Sequence, residues 1–269
     1  MEGLSETGPD LTPSARERFD RNMRLAPVGE AGQRRLLASR AVVIGAGGLG
    51  SAAIYYLAAA GVGRIRIADA GNLELSNLNR QILHRASDVG RPKIDSARDA
   101  VLAFWPECRV ETVAERISEA TAPQVVGGAD VVLDCTDNFP ARFIIADACW
   151  REGVPLVSAA VLRFEGHLIT VIPARQGVAA ASPAEGSPCY RCLIAEPPPA
   201  GVSPTAARVG ILGAVAGMFG ALQATEAVKV ILGIGQSLAH RMLIYDGLAG
   251  TLRTVRRMRD PECRFCGRA

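Results

Sequence analysis

Apolar and polar positions alternate along the first part of the chain in blocks that predict strands and helices in turn. Short apolar runs are followed by longer segments with apolar residues at helical spacing. This order is typical of a parallel, doubly wound α/β sheet with helices on both faces. We predict strands at 41–45, 64–69, 109–113, 130–135 and 155–161, and helices at 48–60, 91–104, 120–127 and 139–152.

The pattern changes after residue 161. A further strand is predicted at 166–172, and residues 173–208 predict a long loop rich in proline, alanine and glycine. Residues 209–234 are apolar and predict a buried helix, which two closing strands follow at 242–245 and 251–256. The expected fold is therefore a mostly parallel Rossmann-like sheet that is extended by C-terminal antiparallel strands.

The N-terminal region carries a different pattern. Residues 1–14 are polar, and we expect them to be disordered. Residues 15–39 read as a helix with arginines scattered along it, which is usually a solvated face.

Composition narrows the class of protein. The chain has 269 residues, of which 49% are hydrophobic, and a formal net charge of +3, which gives no electrostatic footprint for nucleic acid. Residues 41–63 are uncharged and long enough to span a bilayer, but glycines interrupt them, which favours a buried strand, a turn and a helix. No apolar segment precedes Val42, so we expect a cytoplasmic protein whose cysteines do not form disulfides.

A glycine-rich turn is the first candidate for chemistry. Gly45, Gly47 and Gly50 form a G-x-G-x-x-G pattern, with Gly48 inside it, between an apolar strand and a helix. Backbone amides and a helix N-terminus meet there, which makes an anion site. Asp69 ends the next apolar run, where a carboxylate binds a ribose hydroxyl in nucleotide-binding sheets. Alone, this pattern favours a dinucleotide-dependent oxidoreductase, and a glycine turn without a ligand is also open.

Further polar residues follow the strands of the predicted sheet. Asn77 and Arg80 lie in a polar turn after Asp69 and are candidates for phosphate contact. Lys93 stands in the first turn of a predicted helix, where it either reaches phosphates or is an ordinary surface lysine.

An apolar strand ends at a stretch with two acidic residues. Asp134 and Asp137 suit Mg²⁺, which takes few protein oxygens together with phosphates. The alternative is a helix N-cap at Asp137, and the two roles are compatible.

Seven cysteines form two groups. Two C-x-x-C pairs, Cys189 with Cys192 and Cys263 with Cys266, supply the four thiolates of a closed structural zinc site. A redox pair or buried free cysteines remain alternatives. The other three lie in core-like segments and are expected to be inert: Cys108, Cys135 and Cys149.

Taken together, these stretches resemble the ThiF/MoeB/HesA adenylyltransferases, which are relatives of the ubiquitin-activating enzymes. The resemblance runs from about residue 15 to residue 266 and rests on sequence that is spread along the chain. The matching stretches are Arg18–Arg21, Gly45–Gly50, Tyr56–Ala58, Asp69, Ser76–Gln81, Gly90–Lys93, Asp134–Asn138, both C-x-x-C pairs and Gln223–Glu226.

The resemblance implies an enzyme that uses Mg²⁺ and ATP to adenylate the C-terminal Gly-Gly carboxylate of a small ubiquitin-like sulfur carrier, with release of pyrophosphate. It implies a single adenylation domain at 15–269, with a nucleotide-binding half at 15–161 and a carrier-binding and zinc half at 162–269. The glycines at 45, 47, 48 and 50 belong to the implied ATP site. By the same resemblance, Arg80 and Lys93 bind the ATP phosphates, and Asn77 and Gln81 line the same site. Asp69 binds the ribose, and Asp137 acts through Mg²⁺. The protein is implied to be a homodimer in which Arg21 reaches into the ATP site of the partner subunit.

Two departures from the family refine this reading. Relatives that form a covalent carrier adduct have a cysteine shortly before the apolar helix, whereas residues 204–210 contain none. The chain also ends just after Cys266, without the sulfurtransferase domain of some relatives. We therefore expect a separate sulfurtransferase or cysteine desulfurase, in the molybdopterin, thiamine or another sulfur-transfer pathway. The rival hypotheses are an NAD-dependent oxidoreductase and a non-catalytic scaffold.

Overall fold

The computed structural model describes residues 8–174, 186–199, 202 and 206–267. The strands of these residues are Arg40–Ile44 (β1), Arg64–Ala68 (β2), Arg109–Val113 (β3), Val131–Asp134 (β4), Leu156–Leu162 (β5), Glu165–Val171 (β6), Arg241–Asp246 (β7) and Thr251–Arg256 (β8). The helices are Pro13–Arg18 (α1), Asp20–Met23 (α2), Gly29–Ala38 (α3), Gly48–Ala60 (α4), Lys93–Phe104 (α5), Ala122–Val126 (α6), Phe139–Arg151 (α7), Ala206–Val209 (α8) and Gly213–Leu232 (α9).

The strands form one sheet in the order β3-β2-β1-β4-β5-β6-β7-β8. The first five strands of that order are parallel to one another, and β6, β7 and β8 continue the sheet with antiparallel pairing. A short turn joins β5 directly to β6, which leaves no room for a crossover helix and so reverses the chain direction. The predicted mixed sheet, with antiparallel C-terminal strands, is confirmed.

Helices cover both faces of the sheet, as the continuous apolar strands predict. Alternate residues of β1 lie in two separate cores because successive side chains of a strand point to opposite faces. Ala41 and Val43 pack with residues of α4, α5 and α9, whereas Val42 and Ile44 pack with residues of α6 and α7. The doubly wound arrangement therefore follows from strands that are buried on both sides.

The two longest apolar segments pack against each other. Helix α9 is long and apolar enough by composition to cross a membrane, but 56% of its apolar window is buried inside the protein. A Cβ atom at Gly220 of α9 would overlap the Leu49 carbonyl oxygen of α4, so the helices meet at backbone distance. The uncharged stretch 41–63 is β1, the glycine turn and α4, which agrees with the glycine-turn interpretation of its composition.

The N-terminal predictions need correction. Residues 15–39 form three short helices instead of one, because Pro27 interrupts the helical hydrogen bonds and Phe19 turns inward to pack on Trp105 at 5.4 Å. Disorder at 1–14 is wrong for residues 8–14, where Leu11 is buried and Thr12 caps α1. Residues 1–7 lie outside the described part of the chain.

The long loop is described only in part. Residues 186–199 contain a short turn of 3₁₀ helix at Tyr190–Cys192, and α8 precedes α9. The rest of the predicted loop, including residues 203–205, lies outside the described residues.

We expect Gly220→Ala to lower the free energy of unfolding by about 1–3 kcal/mol, because the added methyl group collides with the backbone of α4. The matched control is Gly217→Ala in the same helix, where a Cβ atom meets nothing within 4 Å. This control should be neutral or should stabilise the protein by up to about 1 kcal/mol. Equilibrium unfolding in urea measures both variants, and equal effects would contradict close packing at Gly220.

Candidate functional site

The carboxyl ends of β1, β2 and β4 meet at one edge of the sheet, as their parallel order predicts. The Gly45 amide donates to the Ala68 carbonyl oxygen at 2.8 Å, and the Cys135 amide donates to the Ile44 carbonyl oxygen at 2.9 Å. Gly45 has a φ of +99°, which a residue with a side chain rarely adopts, and a Cβ atom there would lie 2.7 Å from the Cys135 carbonyl oxygen. The turn after β1 is therefore fixed by close contact with the strand ends on both sides.

The glycine turn leads into the N-terminus of α4. A Cβ atom at Gly50 would overlap the Gly45 carbonyl oxygen, so the helix starts directly against the turn. Gly47 is the N-cap, and no side chain of the described residues caps the helix. The first amides of α4 are therefore left for a bound anion, as the sequence predicts.

Asp69 holds this turn in place. Its Oδ2 accepts a hydrogen bond from the Ala46 amide at 2.8 Å, and its Oδ1 accepts one from the Gly71 amide at 2.7 Å. The Lys93 amide donates to the Gly71 carbonyl oxygen at 3.0 Å, and the Lys93 Nζ lies 3.7 Å from where a Gly71 Cβ atom would be. Asp69 and Lys93 are thus brought together beside the glycine turn.

Arg80 lies between the starts of two helices. A Cβ atom at Gly48 would be 3.3 Å from Arg80 Cγ, and one at Gly213 would be 3.1 Å from Arg80 Cα. The guanidinium donates to the Ser76 carbonyl oxygen at 3.1 Å and to Asn79 Oδ1 at 2.9 Å. Two glycines therefore leave the space that this arginine occupies.

Neither Arg80 nor Lys93 forms a salt bridge with a carboxylate of the described residues, whereas many other arginines of the protein do. Two cations that lack a carboxylate partner among these residues thus flank a turn of open backbone amides. Such an arrangement attracts a polyanionic ligand.

The other two predicted lining residues are buried. Asn77 Oδ1 accepts a hydrogen bond from the Glu74 amide at 3.2 Å, so this side chain shapes the 3₁₀ turn that precedes Arg80. Gln81 is 3% exposed, and its Oε1 has no hydrogen-bond partner among the described residues. Its Nε2 lies 3.7 Å from where a Gly47 Cβ atom would be, so this amide faces the glycine turn.

The expected pair of magnesium carboxylates is wrong for Asp134. This side chain is completely buried, and it accepts hydrogen bonds from Thr136 Oγ1 at 2.6 Å and from Ser158 Oγ at 2.7 Å. Arg142 Nη1 lies 3.6 Å from the same carboxylate, and it also donates to the Ala159 carbonyl oxygen at 2.6 Å. Asp134 is therefore part of a buried network that fixes the loop after β4.

Asp137 remains available at the surface of the same loop. It is exposed, and the hydrogen bond that it accepts comes from Asn138 Nδ2 at 3.4 Å. The alternative role of Asp137 as N-cap is wrong, because Asn138 Oδ1 accepts the Ala141 amide at 3.0 Å and caps α7.

Sequence reasoning assigned no role to three buried polar residues that build this edge: His84, Arg142 and Gln223. Gln223 belongs to α9, and its Nε2 donates to the Asp134 carbonyl oxygen at 2.8 Å and to the Val157 carbonyl oxygen at 3.1 Å. It therefore connects the second half of the chain to the strand ends. The available signal was a polar residue within an otherwise apolar helical segment, because such a residue needs a partner when buried.

Arg21 is not brought to this edge within one chain. Its side chain is 82% exposed on α2, and its guanidinium lies 3.4 Å from Asp20. It forms no hydrogen bond or ion pair with the residues around the glycine turn described above, which we call the cleft residues: Asp69, Asn77, Arg80, Gln81, Lys93 and Asp137.

The four cysteines of the C-x-x-C pairs lie together, as predicted. All four Sγ atoms are within 4.8 Å of one another, and the Cys189–Cys192, Cys189–Cys263 and Cys192–Cys266 separations are 3.7, 3.8 and 3.4 Å. Four sulfurs at about 2.3 Å from a tetrahedral zinc would be about 3.8 Å apart, so this donor set fits the ion.

The surroundings of the cysteine cluster hold its first pair in place. The Arg191 guanidinium donates to Asp147 at 2.8 Å and stacks on Phe143, 4.9 Å from the ring centroid. Buried Arg257 donates to the Pro188 carbonyl oxygen at 3.0 Å and to the Cys189 carbonyl oxygen at 3.3 Å. The cluster therefore joins α7, the described part of the long loop and the C-terminal residues.

The other cysteines are buried thiols, in agreement with the prediction that they are inert. Burial raises the pKa of Cys108 to about 12 and raises the pKa values of Cys135 and Cys149 well above the ordinary thiol value. The Cys135 thiol also donates to Gln223 Oε1 at 3.4 Å. A thiol that is both buried and protonated is a poor nucleophile.

Comparison with known proteins gives one family match: the model of the ThiF family matches residues 19–265. The SAMP-activating enzyme E1 of Haloferax volcanii is 44% identical over 93% of this chain and 88% of its own length. The sulfur carrier protein adenylyltransferase of Thermus thermophilus is 41% identical over 93% of this chain and 90% of its own length. The adenylyltransferase and sulfurtransferase MOCS3 of Bos taurus is 43% identical, and this chain spans 53% of it.

Solved structures with the same fold include MccB of E. coli. The crystal structure of MccB with MccA-N7isoASN has a TM-score of 0.79 at 22% identity and covers 93% of this chain and 75% of that chain. The crystal structure of MccB with ATP has a TM-score of 0.78 at 22% identity, over 93% of this chain and 74% of that chain. At this identity the likeness is one of fold.

Proposed function

This chain belongs to the ThiF family, and on that basis we propose that it uses ATP to adenylate the C-terminal Gly-Gly carboxylate of a small ubiquitin-like sulfur carrier. The Haloferax volcanii relative is named a SAMP-activating enzyme E1, the Thermus thermophilus relative is named a sulfur carrier protein adenylyltransferase, and both match along most of their length. The observation that carries the proposal is the pair of cations, Arg80 and Lys93, which have no carboxylate partner within the described part of the chain and lie beside the open amides of the glycine turn.

The chemistry requires fixed positive charge. A carrier carboxylate oxygen attacks the α-phosphorus of ATP, the bond to the β-phosphate oxygen breaks, and pyrophosphate leaves. Two anions must approach each other, and negative charge shifts onto the leaving pyrophosphate. Preorganised cations lower the energy of that transition state, and in our proposal Arg80 and Lys93 supply them.

The remaining cleft residues position the nucleotide. The turn glycines at 45, 47, 48 and 50 bring backbone amides to the phosphates, Asn77 and Gln81 line the cleft, and Asp69 binds the ribose. Mg²⁺ would be held by the exposed carboxylate of Asp137 together with ATP phosphates, since Mg²⁺ accepts few protein oxygens. When bound, it neutralises charge on the leaving group.

The exposed position of Arg21 suits a role between subunits. An arginine that is 82% exposed and outside its own cleft is free to enter the ATP site of a second copy. We propose a homodimer with two composite sites, in which Arg21 adds a third cation to the phosphates of the partner.

Sulfur chemistry is assigned to another protein. Residues 193–210 contain no cysteine, and Cys135 beside the cleft is buried. We therefore propose that the product is the carrier acyl-adenylate and that a separate sulfurtransferase or cysteine desulfurase supplies the sulfur, in molybdopterin, thiamine or related biosynthesis.

The alternative of an NAD-dependent oxidoreductase is not favoured. A Rossmann-like sheet hosts both activities, so the fold does not separate them. The curated relatives over nearly the whole chain are named for adenylation or activation, and the pair of cations suits a triphosphate more than hydride transfer.

We expect Arg80→Ala and Lys93→Ala each to reduce ATP–pyrophosphate exchange, measured with the carrier protein, by about 10²-fold or more, because each removes a cation aimed at developing charge. Arg98→Ala is the matched control, since Arg98 lies on the same helix as Lys93 but pairs with Asp95 and Asp99 at the surface. Exchange within a few-fold of the parent in a folded Lys93→Ala protein would refute the assigned role.

A subunit-mixing experiment tests Arg21. Arg21→Ala and Lys93→Ala homodimers should each be inactive, whereas their mixture should regain part of the exchange activity because one composite site of each heterodimer is intact. Two affinity tags establish that heterodimers form. An inactive mixture that contains them would show that Arg21 does not act across subunits.

We also propose zinc as the ion of the four-cysteine cluster, and we expect metal analysis to give one zinc per subunit in protein purified without added zinc. Cys192→Ser should remove the metal and lower the melting temperature, with a smaller effect on exchange at low temperature, because the cluster is separate from the glycine turn. Cys149→Ala is the control and should keep one zinc. Metal-free parent protein with four freely titratable thiols would refute the site.

Incubation of the enzyme with Mg²⁺, ATP and carrier should yield AMP-carrier without a covalent enzyme–carrier species. The physical reason is that Cys108, Cys135 and Cys149 are buried thiols with raised pKa values. Intact-mass spectrometry and non-reducing gels measure both species. A reducible enzyme–carrier adduct would contradict the prediction.

A further inference from the structure

His84 connects the glycine turn to a buried chain of polar groups. The side chain is buried at 6% exposure, its Nε2 lies 2.9 Å from the Ala46 carbonyl oxygen, and its Nδ1 lies 2.8 Å from Ser96 Oγ. Ser96 Oγ is in turn 2.8 Å from Asp88 Oδ2, and Asp88 Oδ1 accepts from Arg91 at 2.7 Å. The turn is therefore anchored from behind through four side chains.

The peptide groups on both sides of Ala46 are held by side chains. Its amide donates to Asp69 and its carbonyl oxygen meets His84. Because a trans peptide is planar, the Gly47 amide points in the direction opposite to the Ala46 carbonyl. The residue that fixes this carbonyl therefore also fixes the direction of the Gly47 N–H.

The Gly47 amide is free for a ligand. No described residue accepts a hydrogen bond from it, and Gly47 is the N-cap of α4. A Cβ atom at Gly47 would meet only Gln81 Nε2, at 3.7 Å, so the space beside the turn is otherwise open. An amide at a helix N-terminus with open space before it is a phosphate donor.

The state of the imidazole follows from its partners. A carbonyl oxygen can only accept, so His84 Nε2 carries a proton in this arrangement. Burial lowers the pKa of His84, the hydrogen bond to Ala46 opposes that shift, and of the charged groups near the ring Lys93 lowers the pKa while Asp69 and Asp88 raise it. Whatever the charge of the ring, Nε2 therefore carries the proton that faces the Ala46 carbonyl oxygen.

We propose that His84 is a positioning residue for ATP: its Nε2–H holds the Ala46 carbonyl and thereby aims the Gly47 amide at a phosphate of the nucleotide. This inference rests on the proposed function, because it concerns how that same site binds ATP. In this proposal His84 contributes to ATP affinity by orienting a backbone amide, whereas Arg80 and Lys93 contribute by their charge.

Two substitutions by neutral side chains distinguish the contributions of the two ring nitrogens of His84. The amide nitrogen of His84→Gln reaches the position of Nε2 and can still donate to the Ala46 carbonyl, whereas that of His84→Asn reaches only the position of Nδ1. We expect His84→Asn to weaken ATP binding about tenfold, which is the scale of losing one hydrogen bond to a charged group, here that of the Gly47 amide to a phosphate. The ATP affinity of His84→Gln should stay within about threefold of the parent.

Three measurements are made on the parent and both variants. Calorimetry gives the affinity for ATP, exchange kinetics give kcat and the KM for ATP, and thermal unfolding gives the melting temperature. The expected result is a raised KM with kcat within a few-fold for His84→Asn, rescue by His84→Gln, and similar melting temperatures for the two variants. Equal ATP affinity in both folded variants, or losses that follow only the melting temperature, would overturn the inference.

A measurement on the parent keeps the inference testable if a variant does not fold. Nitrogen-15 spectra of histidine-labelled enzyme with ATP, assigned with His167→Asn and His240→Asn proteins, report the tautomer of His84. A proton on Nε2 is expected, and an unprotonated Nε2 would overturn the inference. A parent enzyme that binds no ATP would instead refute the proposed function, so the two failures are distinguishable.

Discussion

Close approach of main chain to main chain at the end of β1 is the constraint on which the candidate site depends. The glycine turn contacts the Cys135 carbonyl group just after β4 and the first turn of α4 at distances that exclude side chains at Gly45 and Gly50. Contact of this kind leaves a row of amides without local partners, and their direction is set by Asp69 and His84 on either side of Ala46. The backbone conformation of the turn therefore provides the amides that would bind an anion at this edge of the sheet.

The charged residues of the site fall into two groups, which differ in burial and in pairing. Charges that shape the loops are buried and fully paired, as with Asp134, whose carboxylate is held by Thr136, Ser158 and Arg142. The two cations that face the cleft, Arg80 and Lys93, have no carboxylate partner in the ranges that the structure describes. An unpaired carboxylate buried like Asp134 would be costly, whereas a cation at the mouth of a cleft remains hydrated until an anion arrives.

The alternation of the strands, the glycine turn and the cysteine spacing could be predicted from the sequence, because each has a strong local signature. Strand β3, helix α4 and strand β8 begin and end where the pattern places them. The prediction of one N-terminal helix was wrong for a local reason, Pro27, and for a distant one, the packing of Phe19 on Trp105. The roles of Asp134, His84 and Gln223 could not be derived for the latter reason: each is defined by partners on other elements, and a carboxylate at a strand end looks the same whether it faces a metal or a buried serine.

The four-cysteine cluster has a consequence for the unfolded chain. Cys189 and Cys263 are 74 positions apart, and the segment between them contains α9, β7 and β8. An ion that remains bound to these thiols would close this segment into a loop and so reduce the conformational entropy of the unfolded state. In chains cross-linked by a disulfide, this effect stabilises the folded state by about a few kcal/mol. The antiparallel end of the sheet, whose last strand is largely exposed, would then be stabilised by this closure of the chain in addition to its own packing.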